Sequence, residues 1–424
     1  MFRKRLSRRL AIATAALLLA CWLLLSTAPA APGRAAPSPQ DVAAGRAAIA
    51  ALKAVRGADQ GRVTIDNAML AGIAALAGDA SGRRHVDLRI ANGRVEGVAS
   101  LPLPLGLWVN VHASALPSAR GFPPVEAWIG RLPLPRMVSR AAIRAALWLG
   151  RSRGADLPPL DRLVQRVEIG DGILVAQVSL PSRTGLIDTA LKAGGTGFDT
   201  AQAVRGYCAL VTADRAVGAG APPRLADQIR LLFAEPPATP DTHRARLAAL
   251  ALRAVPERGD DLLPELAAAA RKACPAGQNG SVLADPVLGG RTDLAKHWAL
   301  SAALTAAFGR DAARAIGQWK ELSDSLPSGS GFSFVDLAAD RSGMHAAEAL
   351  ADPARAAQAE ALLARADDEL LLPAALTRAP EGLTEAQFLA RFGSTESARF
   401  TAASRAIDAA LPLAPAALAR AKSR

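Results

Sequence analysis

The spacing of apolar residues changes once along the chain, near Leu180, and this change sets the fold class. Before it, apolar and polar residues alternate in several short runs, of which the first begins at Val86. Alternation is typical of strands with one buried face, whereas recurrence every three or four residues is typical of helices. After Leu180 the helical pattern continues to Leu411. We therefore predict an α+β protein, with an N-terminal antiparallel sheet domain with flanking helices over residues 41–182 and an all-α helical bundle over residues 183–411.

Two turns in the front domain have sequences that favour tight hairpins. Asn92-Gly93 separates two alternating runs, and Gly170-Asp171-Gly172 separates two more. Asn, Asp and Gly tolerate the positive φ angles that such turns require. We expect both hairpins to belong to one curved antiparallel sheet.

The first 30 residues have the composition of an export segment. Five basic residues precede an apolar run from Leu10 to Leu25, and Ala28-Pro29-Ala30 then offers the small side chains that a signal peptidase accepts. The run is short for a transmembrane helix, so a cleaved signal peptide and a retained membrane anchor are both open. Because positive charges stay in the cytoplasm, we expect a periplasmic body, anchored in the inner membrane or released after cleavage.

Two short segments lie outside the predicted domains. Residues 31–40 are rich in Ala, Pro and Ser, which predicts a linker, and residues 412–424 are expected to form a flexible tail. Both predictions rest on composition alone.

Cys208 and Cys274 are the only cysteines beyond the export segment. Disulfides form in oxidising compartments such as the periplasm, so these two residues are a candidate disulfide. The alternative is a pair of buried free thiols.

The positive charge is concentrated in the front of the chain. The formal net charge is +12, and residues 32–154 carry sixteen Lys and Arg against seven Asp and Glu, a net +9. An exported protein seldom meets nucleic acid, so this charge favours an anionic lipid or an envelope glycan as the partner and argues against nucleic acid. No particular protein partner is predicted.

One predicted helix in this region, residues 136–151, has a basic face. Arg136, Arg140 and Arg144 are spaced by four and therefore stack on one side, and Trp148 lies near the end. This pattern is typical of helices that lie at a lipid interface, and it makes the three arginines candidate binding residues. The alternative is a surface helix that packs its apolar stripe on the sheet and leaves the arginines in solvent.

Polar side chains recur at helical spacing within residues 290–345. Asp293 and His297 are four apart, as are Asp336 and Asp340, so each pair shares one helix face. If the helices fold back on one another around the Gly/Ser loop between them, these faces meet in one pocket. The catalytic candidates are His297, Asp293, Glu321 and Asp340, and the candidate binding residues are Lys320, Asp324, Ser330, Ser333 and Asp336.

The same residues have structural alternatives. Ser333 and Asp336 have the spacing of a capping box, in which the acid reaches back to the first amide of the helix. Lys320 and Asp324 are spaced as an ordinary helical ion pair. A buried polar network that fixes helix packing would account for the whole set.

A histidine beside oxygen donors is also a candidate ligand for a hard metal ion. However, the chain contains neither an HExxH pattern nor clustered cysteines, and one histidine is a sparse set of nitrogen ligands. We therefore predict no metal site and no cofactor.

The order of these residues resembles that of a known family. An Asp-x-x-x-His-aromatic run is followed by a Glu and then by Asp-x-x-x-Asp-x-x-Gly, formed here by Asp293, His297, Trp298, Glu321, Asp336, Asp340 and Gly343. This order resembles the VanZ-like envelope proteins, and the run from Lys320 to Asp324 with Gly331-Phe332-Ser333 is similar to the YfiM-like periplasmic lipoproteins. The resemblance covers only residues 290–345 and implies an envelope protein without assigning an activity. VanZ-like proteins span the membrane several times, whereas these helices are too short and polar to do so.

Two functional hypotheses follow. The first is an exported, membrane-tethered protein whose basic front domain binds an envelope lipid or glycan and whose helical domain keeps a polar network. The second is an envelope hydrolase that acts on a lipid or glycan ester. In that enzyme His297 would be the base, Asp293 or Asp340 would orient it, and Glu321 would be a second acid or base.

Overall fold

The structure is a computed structural model of the 424-residue chain. It describes residues 14, 19, 21–33, 37–80, 85–152, 157–180, 199–217, 221–234, 239–275, 277–278, 281–326 and 329–422. The chain divides into two compact units, the first formed by residues 1–149 and 157–182 and the second by residues 150–156 and 183–424. The first unit contains antiparallel sheets with helices and the second is helical, which confirms the predicted α+β class.

The larger sheet of the first unit is a meander in the order β3-β4-β5-β6-β7. Its strands are β1 (Leu25–Ser26), which pairs with β5, then β3 (Val86–Ala91), β4 (Arg94–Pro102), β5 (Trp108–Ala115), β6 (Val125–Ile129) and β7 (Leu132–Leu134). The predicted hairpin at Asn92-Gly93 joins β3 to β4, and both turn residues have the positive φ angles expected, 53° and 68°.

A second, three-stranded sheet corrects the prediction of a single sheet. It contains β2 (Gly61–Asp66), β8 (Val164–Gly170) and β9 (Ile173–Val178) in the order β2-β9-β8. The predicted hairpin at Asp171-Gly172 joins β8 to β9. Because β9 pairs along all of β2 rather than with the meander, the hairpin belongs to this smaller sheet. Helices α1 (Pro39–Ala54) and α2 (Asn67–Ala80) flank it.

The chain ahead of α1 hydrogen-bonds to the larger sheet. Leu25 pairs with Val109 in β5. The amide of Ala31 donates to Ser100 Oγ at 3.0 Å, and the side chain of Ser100 is only 1% exposed. Part of the predicted export segment and linker therefore supplies partners to polar groups inside the first unit.

Among the described residues, no helix is long and apolar enough to cross a membrane. The prediction of a transmembrane helix is therefore wrong for this part of the chain, in which Leu25 lies in a strand rather than a helix. Most of the predicted apolar run, residues 10–13, 15–18 and 20, lies outside the described residues.

The second unit consists mainly of helices. They are α5 (Thr200–Val217), α6 (Leu225–Phe233), α7 (Pro240–Ala254), α8 (Pro256–Leu262), α9 (Pro264–Ala273), α10 (Thr292–Phe308), α11 (Arg310–Ser325), α12 (Phe334–Ala351), α13 (Ala356–Leu363), α14 (Asp368–Leu371), α15 (Glu385–Phe392), α16 (Ala398–Ala410) and α17 (Pro415–Lys422). They are preceded along the chain by α3 (Arg136–Ser152), which lies in the first unit up to Leu149, and by α4 (Leu160–Leu163) of the first unit. A two-stranded ribbon, β10 (Gly277–Gln278) with β11 (Ser281–Val282), completes the second unit.

The helix α12 is the buried centre of the second unit. All but two of its eighteen residues are buried, and it packs along α10. The two backbones are very close at Gly343, where an added Cβ would lie 2.2 Å from the carbonyl oxygen of Trp298. Trp298 is fully buried and donates its Nε1 hydrogen to Ser342 Oγ at 3.0 Å. A glycine at residue 343 therefore allows the two backbones to approach.

The candidate disulfide is present. Cys208 in α5 is bonded to Cys274, which follows directly after α9, and the two are 66 residues apart in sequence. The bond links helices that share one apolar core, in which Tyr207, Val211 and Leu266 are buried.

Removing this disulfide should destabilise the second unit. Closing a loop of 66 residues restricts the unfolded chain by about 4 kcal/mol on the chain-entropy model. We expect Cys208→Ser with Cys274→Ser to lower the free energy of unfolding of this unit by about that amount, measured by urea denaturation. Cys21→Ser, at an exposed free cysteine, is the matched control, and an equal loss in both proteins would contradict the prediction.

Replacing Gly343 by alanine should separate α10 from α12. The added methyl would meet backbone rather than a movable side chain, so overpacking should cost about 3 kcal/mol or more. Gly170→Ala is the control, because a Cβ there meets no atom within 4 Å. Thermal unfolding should show a large decrease in melting temperature for Gly343→Ala and none for Gly170→Ala. A fully stable Gly343→Ala protein would contradict the observed helix contact.

Candidate functional site

The structure brings the two predicted polar faces together around His297. This residue lies on α10, and both of its ring nitrogens contact carboxylates of α12. Its Nδ1 lies 3.0 Å from Asp340 Oδ1, and its Nε2 lies 3.2 Å from Asp336 Oδ2. Ser301, one turn later on α10, donates to the same Asp340 oxygen at 2.7 Å. The close packing of α10 on α12 thus places His297 and Ser301 of one helix against Asp336 and Asp340 of the other.

Helix α11 adds a cation to this cluster. Lys320 Nζ lies 2.8 Å from His297 Nε2, 2.9 Å from Glu321 Oε1 and 2.9 Å from Asp324 Oδ2. It also lies 3.5 Å from Asp336 Oδ2. The predicted ion pair between Lys320 and Asp324 is therefore present, but it is one contact of several. We call the six residues His297, Lys320, Glu321, Asp324, Asp336 and Asp340 the His297 cluster.

Glu321 is the most deeply buried member, with no exposed surface. Its Oε1 accepts from Lys320, and its Oε2 accepts from the backbone amide of Ser333 at 2.9 Å. The carboxylate therefore joins α11 to the start of α12.

The capping box predicted at Ser333 and Asp336 forms only by half. Ser333 Oγ accepts from the amide of Asp336 at 3.0 Å, so Ser333 does cap α12. Asp336 does not reach back, because Glu321 already accepts from the Ser333 amide. The side chain of Asp336 is thereby free to face His297.

Asp293 lies outside the cluster. It pairs with Arg291 at 2.6 Å and is half-exposed, and Arg291 also pairs with Glu381 at 2.9 Å. Arg291 reaches the cluster only weakly, 3.8 Å from Asp336 Oδ1. Asp340, rather than Asp293, is the carboxylate placed to orient His297. The candidate binding residue Ser330 is exposed in the loop ahead of α12.

Burial and neighbouring charges shift the pKa values in opposite directions. Burial alone would lower the pKa of His297, but the carboxylates of Asp340 and Asp336 outweigh it and raise the pKa to about 10. Burial raises the pKa of Glu321 to about 7, against the lowering effect of Lys320 and His297. Burial would raise the pKa of Asp336, but the hydrogen bond from His297 and the charges of His297 and Lys320 lower it to about 2. The carboxylates therefore favour the protonated form of His297, whereas the Lys320 ammonium, 2.8 Å from Nε2, favours a neutral ring that accepts from it.

This arrangement supports a general base poorly. Both ring nitrogens of His297 already have partners, Nδ1 with Asp340 and Nε2 with Lys320 and Asp336, so neither is open to a proton from a substrate. Glu321 has a pKa in the range of a general acid, but it is fully enclosed by protein. The hydrolase hypothesis stays a prediction that this geometry does not favour.

Sequence reasoning missed two residues that bear on the cluster. Ser301 follows His297 by four residues, and this spacing was the signal that could have found it. Arg291 forms a network with Asp293, Glu381 and Asp336. Glu381 lies 90 residues from Arg291, so no local pattern could have connected them.

No protein-family model, curated protein sequence or solved structure matches the chain. The VanZ-like and YfiM-like resemblance therefore stays a prediction based on the order of residues within 290–345.

The raised pKa of His297 predicts a loss of stability at alkaline pH. A group whose pKa is higher in the folded state stabilises the fold fully below its unfolded pKa, near 6.5, and loses that effect as the pH approaches about 10. We expect the free energy of unfolding to fall between pH 7.5 and 10, by up to about 1.4 kcal/mol per pH unit. His297→Gln should remove this slope, and His112→Gln, in the first unit, should keep it. Urea unfolding followed by tryptophan fluorescence measures both, and an unchanged slope in His297→Gln would refute the assignment.

Proposed function

We propose that this protein is an exported envelope protein that binds an anionic lipid surface through α3, without catalysing a reaction. The observation that carries the proposal is the orientation of α3. Its arginines form ion pairs with carboxylates of the first unit, and four of its large apolar side chains are exposed.

The arginine face of α3 is held by ion pairs. Arg136 pairs with Glu126 of β6, and Arg140 pairs with Asp161 of α4. Arg144 lies 3.6 Å from the other oxygen of Asp161. The sequence left open whether these arginines face a lipid or the solvent, and the structure instead pairs them within the first unit.

Four large apolar side chains of α3 are exposed beside the arginine row. The exposed fraction is 83% for Met137 and 64% for Trp148, and Val138 and Leu149 are also exposed. Met137 and Trp148 are eleven residues apart, as are Val138 and Leu149, so each pair is aligned along the helix three turns apart, with exposed alanines between them. Exposed apolar side chains that include a tryptophan are typical of a contact surface for an apolar partner. The interface of a lipid bilayer is such a partner.

Charge selects the kind of lipid. The helix has no Asp or Glu between Arg136 and Ser152. The stretch of sequence that contains it, residues 32–154, carries a net +9, from sixteen basic and seven acidic residues. A net positive charge favours anionic headgroups over neutral ones.

The disulfide supports an oxidising compartment. Cys208 and Cys274 are bonded, and such bonds are rare in the cytoplasm. Together with the basic and apolar start of the chain, this supports a periplasmic location.

Sedimentation with vesicles tests the proposal. The full chain should sediment with vesicles of equal parts phosphatidylglycerol and phosphatidylcholine and bind less at high salt. Burying a side chain such as Trp148 contributes about 1.5–3 kcal/mol, so Trp148→Glu should weaken binding at least about tenfold. Met137→Glu should act in the same direction.

The matched control is Ile173→Glu, at an exposed apolar residue of the other sheet of the same unit. It should bind as the wild type does. Equal loss in the control, or binding only to lipid-free envelope glycan, would overturn the proposal.

A further inference from the structure

The Lys320 ammonium occupies the place of a cation in the His297 cluster. Its Nζ is surrounded by one imidazole nitrogen and three carboxylate oxygens at 2.8–3.5 Å, from His297, Glu321, Asp324 and Asp336. These groups come from three helices, so the binding position of the ammonium is formed by the tertiary fold rather than by one segment. The lysine side chain is 38% exposed, so its ammonium can move from this position toward solvent.

The cluster has more negative charge than its two cations balance. Glu321, Asp324, Asp336 and Asp340 contribute four negative charges when ionised, against one positive charge from Lys320 and at most one from His297, which leaves a net charge of −2 or −3. Arg291 is already shared with Asp293 and Glu381. Burying an uncompensated charge is costly, and a divalent cation would offset it.

Two carboxylate oxygens of the cluster are buried without a hydrogen-bond partner, Asp340 Oδ2 and Asp336 Oδ1. Asp340 is only 4% exposed. Its Oδ2 faces α11 at Gly317, where an added Cβ would lie 3.0 Å away. Most buried polar atoms have a partner, so an orphaned carboxylate oxygen beside other ligand-type atoms points to a cation that it would coordinate.

We propose that the His297 cluster is a binding site for one divalent first-row transition-metal ion, with His297, Glu321 and Asp340 as ligands and Lys320 as the cation that the metal displaces. One ligand atom from each of the three residues lies within 4.8 Å of the others. Ligand atoms on one ion at about 2.1 Å lie within about 4.2 Å of each other, so the set must close by less than about 1 Å. Asp336 is adjacent and would be a fourth ligand through a carboxylate oxygen.

The donor set selects the class of metal. Carboxylate oxygens alone would suit Mg²⁺ or Ca²⁺, whereas an imidazole nitrogen favours Mn²⁺, Fe²⁺ or Zn²⁺. The sequence predicted no metal because it offered one histidine and no ligand motif. The fold supplies the remaining ligands from helices that are separated along the chain, and the site is independent of the lipid surface proposed for α3.

Titration of the full chain with Mn²⁺, followed by the electron paramagnetic resonance signal of the free ion, tests this proposal. We expect one bound Mn²⁺ per chain, displaced by Zn²⁺ but not by equimolar Mg²⁺. Glu321→Gln and Asp340→Asn should each weaken binding at least about tenfold, because each removes a ligand charge. Lys320→Met should tighten binding by at least about tenfold, because the competing ammonium is gone.

The matched control is Asp408→Asn, in a second histidine and carboxylate cluster in which Asp408 Oδ1 lies 2.9 Å from His345 Nε2. It should leave Mn²⁺ binding unchanged. Circular dichroism must show that each variant is folded. The proposal is overturned if neither the folded wild type nor folded Lys320→Met binds Mn²⁺, if binding survives in both ligand variants, or if Mg²⁺ displaces Mn²⁺ as readily as Zn²⁺ does.

Discussion

The close approach of α10 to α12 at Gly343 is the contact on which the second unit depends. It brings the backbone of Trp298 against α12 and places His297 beside two carboxylates one turn apart. A side chain at residue 343 would separate the helices and open these contacts. The close approach at Gly343 is therefore required both for the packing of α10 on α12 and for the contacts of the His297 cluster.

A buried cluster with more acids than bases differs from an ordinary buried ion pair. Elsewhere in this unit, Arg253 pairs with Asp214 at 2.7 Å, and Gln228 donates to the same carboxylate at 2.8 Å. That charge is balanced and its partners are in place. The His297 cluster instead holds a lysine among several carboxylates and leaves two buried oxygens without partners. A purely structural network gains nothing from such an excess, whereas a cation site requires it.

Local spacing predicted much of the site, and long-range pairing decided the rest. The i, i+4 patterns of Asp336 with Asp340 correctly placed both acids on the face that meets His297. Asp293 shares a helical face with His297 in sequence, yet its pairing with Arg291 draws it away. The sequence could not show this, because the competing contacts of Arg291 include Glu381, 90 residues away.

The same limit applies to the fold of the first unit. The turn sequences predicted both hairpins. They did not predict that the second hairpin forms a separate sheet, because that depends on its pairing with β2, about a hundred residues earlier. The row of three arginines on α3 was also predicted from its spacing. Its ion pairs were not, because the partners Glu126 and Asp161 lie on other elements.

The central claim, that the His297 cluster is a seat for a divalent cation, is tested most directly by anomalous X-ray diffraction from crystals grown with Mn²⁺. The account predicts one anomalous peak in coordination contact with His297, Glu321 and Asp340, with the Lys320 ammonium moved out toward Asp324. A cluster with no peak and with Lys320 still against His297 would contradict it.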